Sequence, residues 1–267
     1  MNRLVLRLEL RRSLGSTVGL AVVGALYVVI VGLMYPFFQR NTDLLAQYLD
    51  HFPKGLLSAF GMSGNLASPG VFFTTYIGIA LWPILAAIAV SIVSTRVLAA
   101  DVESGWHEIV LGTPLTRSGL AAVSILTQAL VLLALTAAVV VAFVITGRLV
   151  GAPFGIATFA LAALVCYAFA CAVAGVTSLI AVLTLRRGQA AGAMAAILLL
   201  MYLGNVVAQL QPNLGWLADI SAFKYLTLTS VIDQGASAVR PLLVFGGAAA
   251  LGWGGALLVF RRRDLLA

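Results

Sequence analysis

Six long stretches of this chain contain no charged residue, and this feature constrains its fold more than any other. They lie at residues 17–38, 71–93, 119–146, 156–185, 188–210 and 242–260. A helix that crosses the hydrocarbon core of a bilayer needs about 20 mostly apolar residues, so each stretch is long enough for one crossing. The sequence therefore predicts an integral membrane protein whose spans 1 to 6 follow in this order.

The composition and the pattern within the stretches favour helices over a transmembrane β-barrel. Apolar residues make up 62% of the chain and charged residues only 9%, whereas soluble domains average about 45–50% and about 25%. Barrel strands are about 10 residues long and alternate apolar with polar side chains, but stretches such as 134–145 show no such alternation. We expect an all-α membrane protein that forms one six-span domain over residues 1–267.

Basic residues are distributed unequally between the two sides of the predicted bundle. With six spans both termini share a side, and 11 of the 16 Lys and Arg residues lie there, against 5 on the other side. Because Lys and Arg accumulate in cytoplasmic connections, we expect both termini in the cytoplasm, with the protein in the inner or plasma membrane. The net charge of +7 is then a topology signal with some attraction to anionic lipid, so nucleic acid is not an expected partner.

The segment before span 1 and two outer connections are expected to form further helices. In residues 3–14 leucines alternate with charged residues, but a lone strand would have no partner near lipid, so an interfacial helix that leads into span 1 is expected. No small-residue cleavage site follows span 1, so we keep it as a span and not a signal peptide. The outer segments 39–70 and 211–241 are rich in apolar and aromatic residues, which indicates interfacial or re-entrant helices. Simple anchoring by an aromatic belt is the alternative.

The spans lack the groups that most intramembrane chemistry requires. No charged residue and neither histidine lies in a span, so no proton relay, metal site or haem site is expected there. Cys166 and Cys171 lie about 140° apart on a helix and are interpreted as packing residues. No phosphate-binding loop with its lysine occurs. We expect no catalytic residue and no metal or cofactor site on this chain.

The bulky polar groups within the spans have two interpretations. They form a neutral path for an amphiphilic substrate, or they form hydrogen bonds between helices. The residues concerned are Gln128, Tyr202, Asn205 and Gln209.

Small residues at helical spacing form a second pattern within the spans. Such spacing lets helices approach closely within one subunit or between two. The residues concerned are Gly188 and Gly192 in span 5, and Gly246, Ala250 and Gly254 in span 6.

The inner connection between spans 2 and 3, residues 94–118, has a distinctive composition. A short acidic and aromatic helix, bounded by a glycine and a proline, is suited to docking a soluble partner. A polar loop that only reverses the chain is the alternative. The candidate docking residues are Glu103, Gly105, Trp106, Glu108, Pro114 and Arg117.

This loop resembles that of the membrane subunits of type 2 (ABC-2-type) ATP-binding-cassette exporters. The family pattern is G-T-x-E-x-x-L-x-x-P-x-[ST]-R, with acidic residues before it. The chain fits this pattern at Gly105, Glu108, Leu111, Pro114, Thr116 and Arg117, with Glu103 before it and Trp106 in the place of the threonine. Residues 52–61 and 260–265 are also similar to the family's first outer loop and C-terminal ending. The topology agrees along the whole chain, whereas the motifs cover only short parts of it.

The resemblance implies a transport function that is powered by other chains. Two six-span subunits, identical or homologous, would form a pathway at their interface. Two copies of a separate ATPase subunit would bind ATP and Mg and would dock at the loop, so this chain would be no enzyme. Glu103 and Glu108 would face basic groups of the ATPase, and Trp106 would be the apolar anchor. We expect export of an amphiphilic or hydrophobic substrate, such as a drug, antibiotic, lipid or peptide.

Two alternatives belong to other classes of protein. A gradient-driven carrier or channel would work without an ATPase, but it would need a titrating residue on its path, and the spans show none. A membrane scaffold would transport nothing.

Overall fold

The computed structural model of the protein describes residues 3–53, 55, 57, 62, 68–95, 117–151, 156–226, 228, 231–232 and 237–262. Within these ranges all regular structure is helical, and six helices are long and apolar enough to cross a membrane. The predicted all-α class is therefore confirmed, with six helices that are suited to the six predicted spans.

The helices are numbered here in chain order. They are α1 (Arg3–Arg40), α2 (Thr42–Leu49), α3 (Pro69–Phe73), α4 (Trp82–Thr95), α5 (Arg117–Leu149), α6 (Ile156–Thr184), α7 (Arg187–Leu210), α8 (Trp216–Ile220), α9 (Ala222–Tyr225) and α10 (Val239–Arg262). A π-helix, Thr74–Leu81, joins α3 to α4. Span 2 is this continuous run of α3, the π-helix and α4. Spans 1, 3, 4, 5 and 6 are α1, α5, α6, α7 and α10.

The predicted N-terminal helix is continuous with span 1. Helix α1 has 38 residues, which corresponds to about 57 Å and exceeds the ~30 Å hydrocarbon core. Glu9 is buried on this helix and forms an ion pair with Arg12 at 2.8 Å. Residues 3–14 are therefore helical, as expected, but no break separates them from the span. Their position at a membrane surface stays a prediction.

Span 2 changes its helical pitch next to a proline. Pro83 has no amide hydrogen, and its ring would clash with the carbonyl group one turn earlier in a regular α-helix. The π-helix Thr74–Leu81 widens the turns just before this residue, and such segments recur at functional sites. Two neighbours hold it in place, because Trp82 donates a hydrogen bond to the carbonyl of Cys166 at 2.8 Å and Tyr27 donates one to the carbonyl of Tyr76 at 3.1 Å.

Span 4 is the central helix of the bundle. It packs against spans 2, 3, 5 and 6, whereas span 1 packs on spans 3 and 2 at the periphery. Its sequence is rich in Ala, Gly, Ser and Cys, and small side chains let several helices approach one axis. Cys166 and Cys171 are both buried there and form no disulfide.

Spans 4 and 6 approach most closely at two glycines. A Cβ atom on Gly252 would lie 2.6 Å from the carbonyl oxygen of Gly175 and 2.6 Å from the amide nitrogen of Val176. A Cβ atom on Gly175 would lie 2.8 Å from the carbonyl oxygen of Ala249. The two backbones are therefore in direct contact, and only glycine leaves room for this packing.

The connection between spans 5 and 6 folds back along the bundle. The hydroxyl group of Ser221 donates a hydrogen bond to the carbonyl of Met201 at 2.8 Å. Met201 precedes the end of span 5 at Leu210 by nine residues, or about 13 Å. Leu226 and Leu228 farther along are buried. The predicted outer segments thus contain short helices, α2 in the first and α8 and α9 in the second, and their depth in a membrane stays a prediction.

Candidate functional site

A long apolar groove lies between spans 2 and 5. Its volume is about 600 Å³, which falls within the range of small-molecule pockets, roughly 300–1,000 Å³. Span 2 contributes the wall from Thr75 to Ile88, and span 5 contributes the wall from Ala195 to Tyr202. The wall from span 2 includes one face of the π-helix and Pro83, so the irregular part of that helix borders the groove.

The groove opens on the exposed side of the helix bundle. Ile84 is 61% exposed and Leu199 is 58% exposed, and both line it. The wide turns of the π-helix and the small side chains Ala80 and Ala87 leave the space between the two helices unfilled. An exposed apolar surface of this kind on a membrane helix is covered by lipid, by substrate or by another subunit.

The polar groups in the groove are neutral hydroxyls. No charged residue lines it within the described part of the chain. Thr75 is 95% buried at its wall, and its hydroxyl group has no hydrogen-bond partner among the described residues. Other threonines in the spans, such as Thr136 and Thr177, donate to a carbonyl four residues earlier. The sequence does not distinguish Thr75, because one threonine in an apolar run carries no local signal.

The four polar residues predicted to form a path are not brought together. Tyr202 lines the groove, next to Phe223 with 5.3 Å between ring centroids. Asn205 is buried farther along span 5. Gln209 packs near the first outer segment, since a Cβ atom on Gly55 would lie 2.5 Å from its carbonyl oxygen. The substrate path through all four residues stays a prediction, and Tyr202 is the member at the groove.

Gln128 is instead the centre of a hydrogen-bond network between three spans. Its Oε1 accepts hydrogen bonds from the Ser178 hydroxyl at 3.0 Å and from the Trp253 indole nitrogen at 2.9 Å. Its Nε2 donates to the Ser124 hydroxyl at 3.2 Å, and the side chain is completely buried. These contacts link spans 3, 4 and 6. They agree with the interpretation that Gln128 forms hydrogen bonds between helices, and not with a substrate path.

Replacing Gln128 by leucine is expected to lower the free energy of unfolding by about 2 kcal/mol, because the buried Ser178 hydroxyl group and the partly buried Trp253 indole would lose their acceptor. Thermal unfolding in mild detergent, followed by size-exclusion chromatography, measures this effect. Gln189→Leu is the matched control, since Gln189 is exposed at the start of span 5. Equal melting temperatures for the two variants would contradict the proposed network.

The predicted small-residue stripes face outward. A Cβ atom on Gly188, Gly192, Gly246 or Gly254 would have nothing within 4 Å, and Ala250 is exposed. Within the described chain these residues bring no two helices together. Their contact with a second subunit stays a prediction. Gly175 and Gly252, which the spacing pattern does not include, lie at a close contact between helices.

The predicted docking loop falls outside the description of the structure. Glu103, Gly105, Trp106, Glu108 and Pro114 lie outside the described residues, and Arg117 is described only as the first residue of span 3. Comparisons with models of protein families and with curated proteins find no match for this chain.

Proposed function

We propose that this chain is the membrane subunit of an ATP-driven exporter of the ABC-2 type. It moves an amphiphilic or hydrophobic substrate out of the cell by alternating access between the two sides of the membrane. ATP and Mg bind to two separate ATPase subunits, and the pathway is completed by a second six-span subunit, identical or homologous. Both termini lie in the cytoplasm, and the protein spans the inner or plasma membrane several times.

The observation that carries this proposal is the sequence of the connection between spans 2 and 3. Glu108, Pro114 and Arg117 occur there at the spacing of the ABC-2 docking loop, and Trp106 adds an aromatic anchor. The connection joins two of six helices that are long enough to cross a membrane. A docking motif in this position receives its force from a soluble partner. This fits the long uncharged stretches of the six spans, which offer no titrating group for an ion gradient.

The structure supports a direct mechanical link from this connection to the groove. Span 2 ends at Thr95, where the connection begins, and its Thr75–Ile88 part forms a wall of the groove. A movement of the docking loop is therefore transmitted along one helix to the groove. The π-helix and Pro83 lie on that route, and helices bend most easily at such interruptions.

The groove chemistry supports an apolar or amphiphilic substrate. Its walls are aliphatic and aromatic, with hydroxyl groups at Thr75 and Tyr202. A small bare ion would lose its hydration without gaining a charged ligand in such a groove. A substrate with a large apolar surface and a few hydrogen-bonding groups would replace lipid there at little cost.

Transport in inside-out membrane vesicles tests the proposal. A fluorescent amphiphilic dye is expected to accumulate in vesicles that contain the complex only when hydrolysable ATP is added, and an uncoupler of the proton gradient should leave this accumulation unchanged. If the dye accumulates without ATP and the uncoupler abolishes this accumulation, the proposal is wrong and the protein is a gradient-driven carrier.

Filling the groove is expected to block transport without unfolding the protein. Ala80 lies at the groove and is exposed, so Ala80→Trp places a bulky ring in the space between spans 2 and 5. We expect ATP-dependent dye accumulation to fall at least about tenfold. A tenfold change corresponds to about 1.4 kcal/mol of binding free energy, which is typical for the loss of an important interface residue. Ala134→Trp is the matched control, because Ala134 is exposed on span 3 away from the groove. The same loss in both variants would refute a role for the groove.

A further inference from the structure

A second cavity lies between spans 5 and 6, on the face of span 5 next to the groove. Both helices pack on span 4 but not closely against each other, so a crevice separates them. Its volume is about 260 Å³. Phe169 and Val173 of span 4 form its floor, Met194 and Ile197 of span 5 form one wall, and Ala248 of span 6 forms the other.

The crevice opens on the surface that faces the bilayer. Val244 and Ile220 line it, and they are 40% and 63% exposed. Apolar cavities of about 150 Å³ in soluble proteins exclude water and accept apolar molecules. A crevice that is open to lipid is filled by the most abundant apolar group available, which in a membrane is an acyl chain.

Charged side chains lie close to one end of this crevice. Asp219 and Tyr225 line it there, and the Lys224 ammonium group forms an ion pair with the Asp219 carboxylate. The hydrogen bond and charge of Lys224, together with the charge of Arg240, hold the pKa of Asp219 below its ordinary value, so this carboxylate is ionised at neutral pH. The three side chains together carry one net positive charge.

Arg240 supplies the uncompensated charge of this cluster. Its guanidinium group lies 5.5 Å from the centre of the Tyr225 ring, a cation–π distance. Among the described residues it forms no ion pair with a carboxylate. Guanidinium groups bind phosphate through paired hydrogen bonds, so this end of the crevice is suited to a phosphate group.

The cluster lies at the depth of lipid headgroups. Arg240 and Arg262 mark the two ends of span 6 and are separated by 22 residues, or about 33 Å. This matches the ~30 Å hydrocarbon core, so each arginine falls at one interface. Val244 is one turn deeper than Arg240, which puts the crevice within the hydrocarbon and the charges just outside it.

We propose that the crevice between spans 5 and 6 binds a phospholipid with an anionic headgroup. One acyl chain lies on span 4 between the two helices, and the headgroup phosphate contacts Arg240 and Lys224. A bound lipid of this kind fills the gap between spans 5 and 6 and fixes the connection that joins them. The site adjoins the groove at Leu198, which lines both, but it does not depend on the proposed export function.

Lipid retention measured by native mass spectrometry tests this site on the full chain. The delipidated protein is titrated with phosphatidylglycerol or with zwitterionic phosphatidylcholine, and tighter binding of phosphatidylglycerol is expected. Arg240→Gln should weaken phosphatidylglycerol binding about tenfold. It should weaken phosphatidylcholine binding less, because the choline ammonium group offsets the charge of the phosphate that both lipids carry. Arg261→Gln, at the other end of span 6, is the matched control. Equal effects of the two arginine variants would overturn the headgroup assignment.

The acyl-chain part of the site is tested by blocking the crevice. Val244→Trp at its mouth should reduce the binding of both lipids, whereas Leu243→Trp should not, because Leu243 is 70% exposed and does not line the crevice. Ala248→Phe places a phenyl ring in the crevice, so it should also reduce the binding of both lipids. Elution as one symmetrical peak confirms that each variant is folded. Undiminished lipid binding by Val244→Trp, or full displacement of lipid by glycerol phosphate alone, would overturn the proposal.

Discussion

Replacement of Gly252 by alanine is expected to destabilise the protein strongly. The added methyl group would meet the backbone of Gly175 and Val176 at about 2.6 Å, and a backbone cannot move aside as a flexible side chain does. Spans 4 and 6 would have to separate along their whole contact. Overpacking of this kind costs about 3 kcal/mol, which corresponds to a fall of about 10 °C in the melting temperature.

A glycine five residues earlier on the same helix provides the control. Gly247 is exposed, and a Cβ atom there would have no described residue within 4 Å. Gly247→Ala should therefore leave the melting temperature unchanged or raise it slightly, since alanine favours helix over glycine by up to about 1 kcal/mol. Size-exclusion chromatography after heating in detergent compares the two variants. A melting temperature of Gly252→Ala no lower than that of Gly247→Ala would contradict the backbone contact between spans 4 and 6.

The second large effect is expected from the docking loop. Trp106→Ala combined with Glu108→Ala removes the proposed apolar anchor and one of its charges. Interface anchors typically lose about 2 kcal/mol or more on truncation, or roughly thirtyfold in affinity for each. The double variant should lose ATP-dependent dye accumulation while it keeps the melting temperature of the unaltered protein.

The matched control changes a tryptophan and an acidic residue in the outer segments. Trp216 is 57% exposed and Asp43 is exposed, so Trp216→Ala combined with Asp43→Ala removes an indole and a carboxylate that take no part in the proposed docking. Full transport is expected from this control. Unchanged transport in the loop variant would show that the loop does not couple the chain to an ATPase.

The spanning helices were predictable because their signal is local. A run of about 20 residues without charge has one stable arrangement in a bilayer, whatever its neighbours are. Residues 3–14 gave a weaker signal, since leucine and charged residues alternate there with a period close to two. The helix forms regardless, because near lipid it satisfies its own backbone and continues directly into span 1.

Contacts between spans were much harder to predict. The role of Gln128 depends on Ser178 and Trp253, which are 50 and 125 residues away in sequence. The chain has 26 glycines. Motif spacing favours Gly188 and Gly192, yet an added Cβ atom on either would meet nothing within 4 Å in the described part of the chain. Gly175 and Gly252 belong to different spans, so no local pattern pairs them. The groove likewise depends on the distance between spans 2 and 5. The sequence of one span does not determine this distance.

The most direct test of the central claim, that a separate ATPase drives this chain, is purification of the protein through a tag after Ala267. In mild detergent from the native membrane, a soluble ATPase should co-purify at near-equal stoichiometry. The Trp106→Ala and Glu108→Ala double variant should lose it. A second six-span chain in the same sample would identify a heterodimer, and its absence a homodimer. Purification of the chain without any ATPase under several gentle conditions would contradict the proposed function.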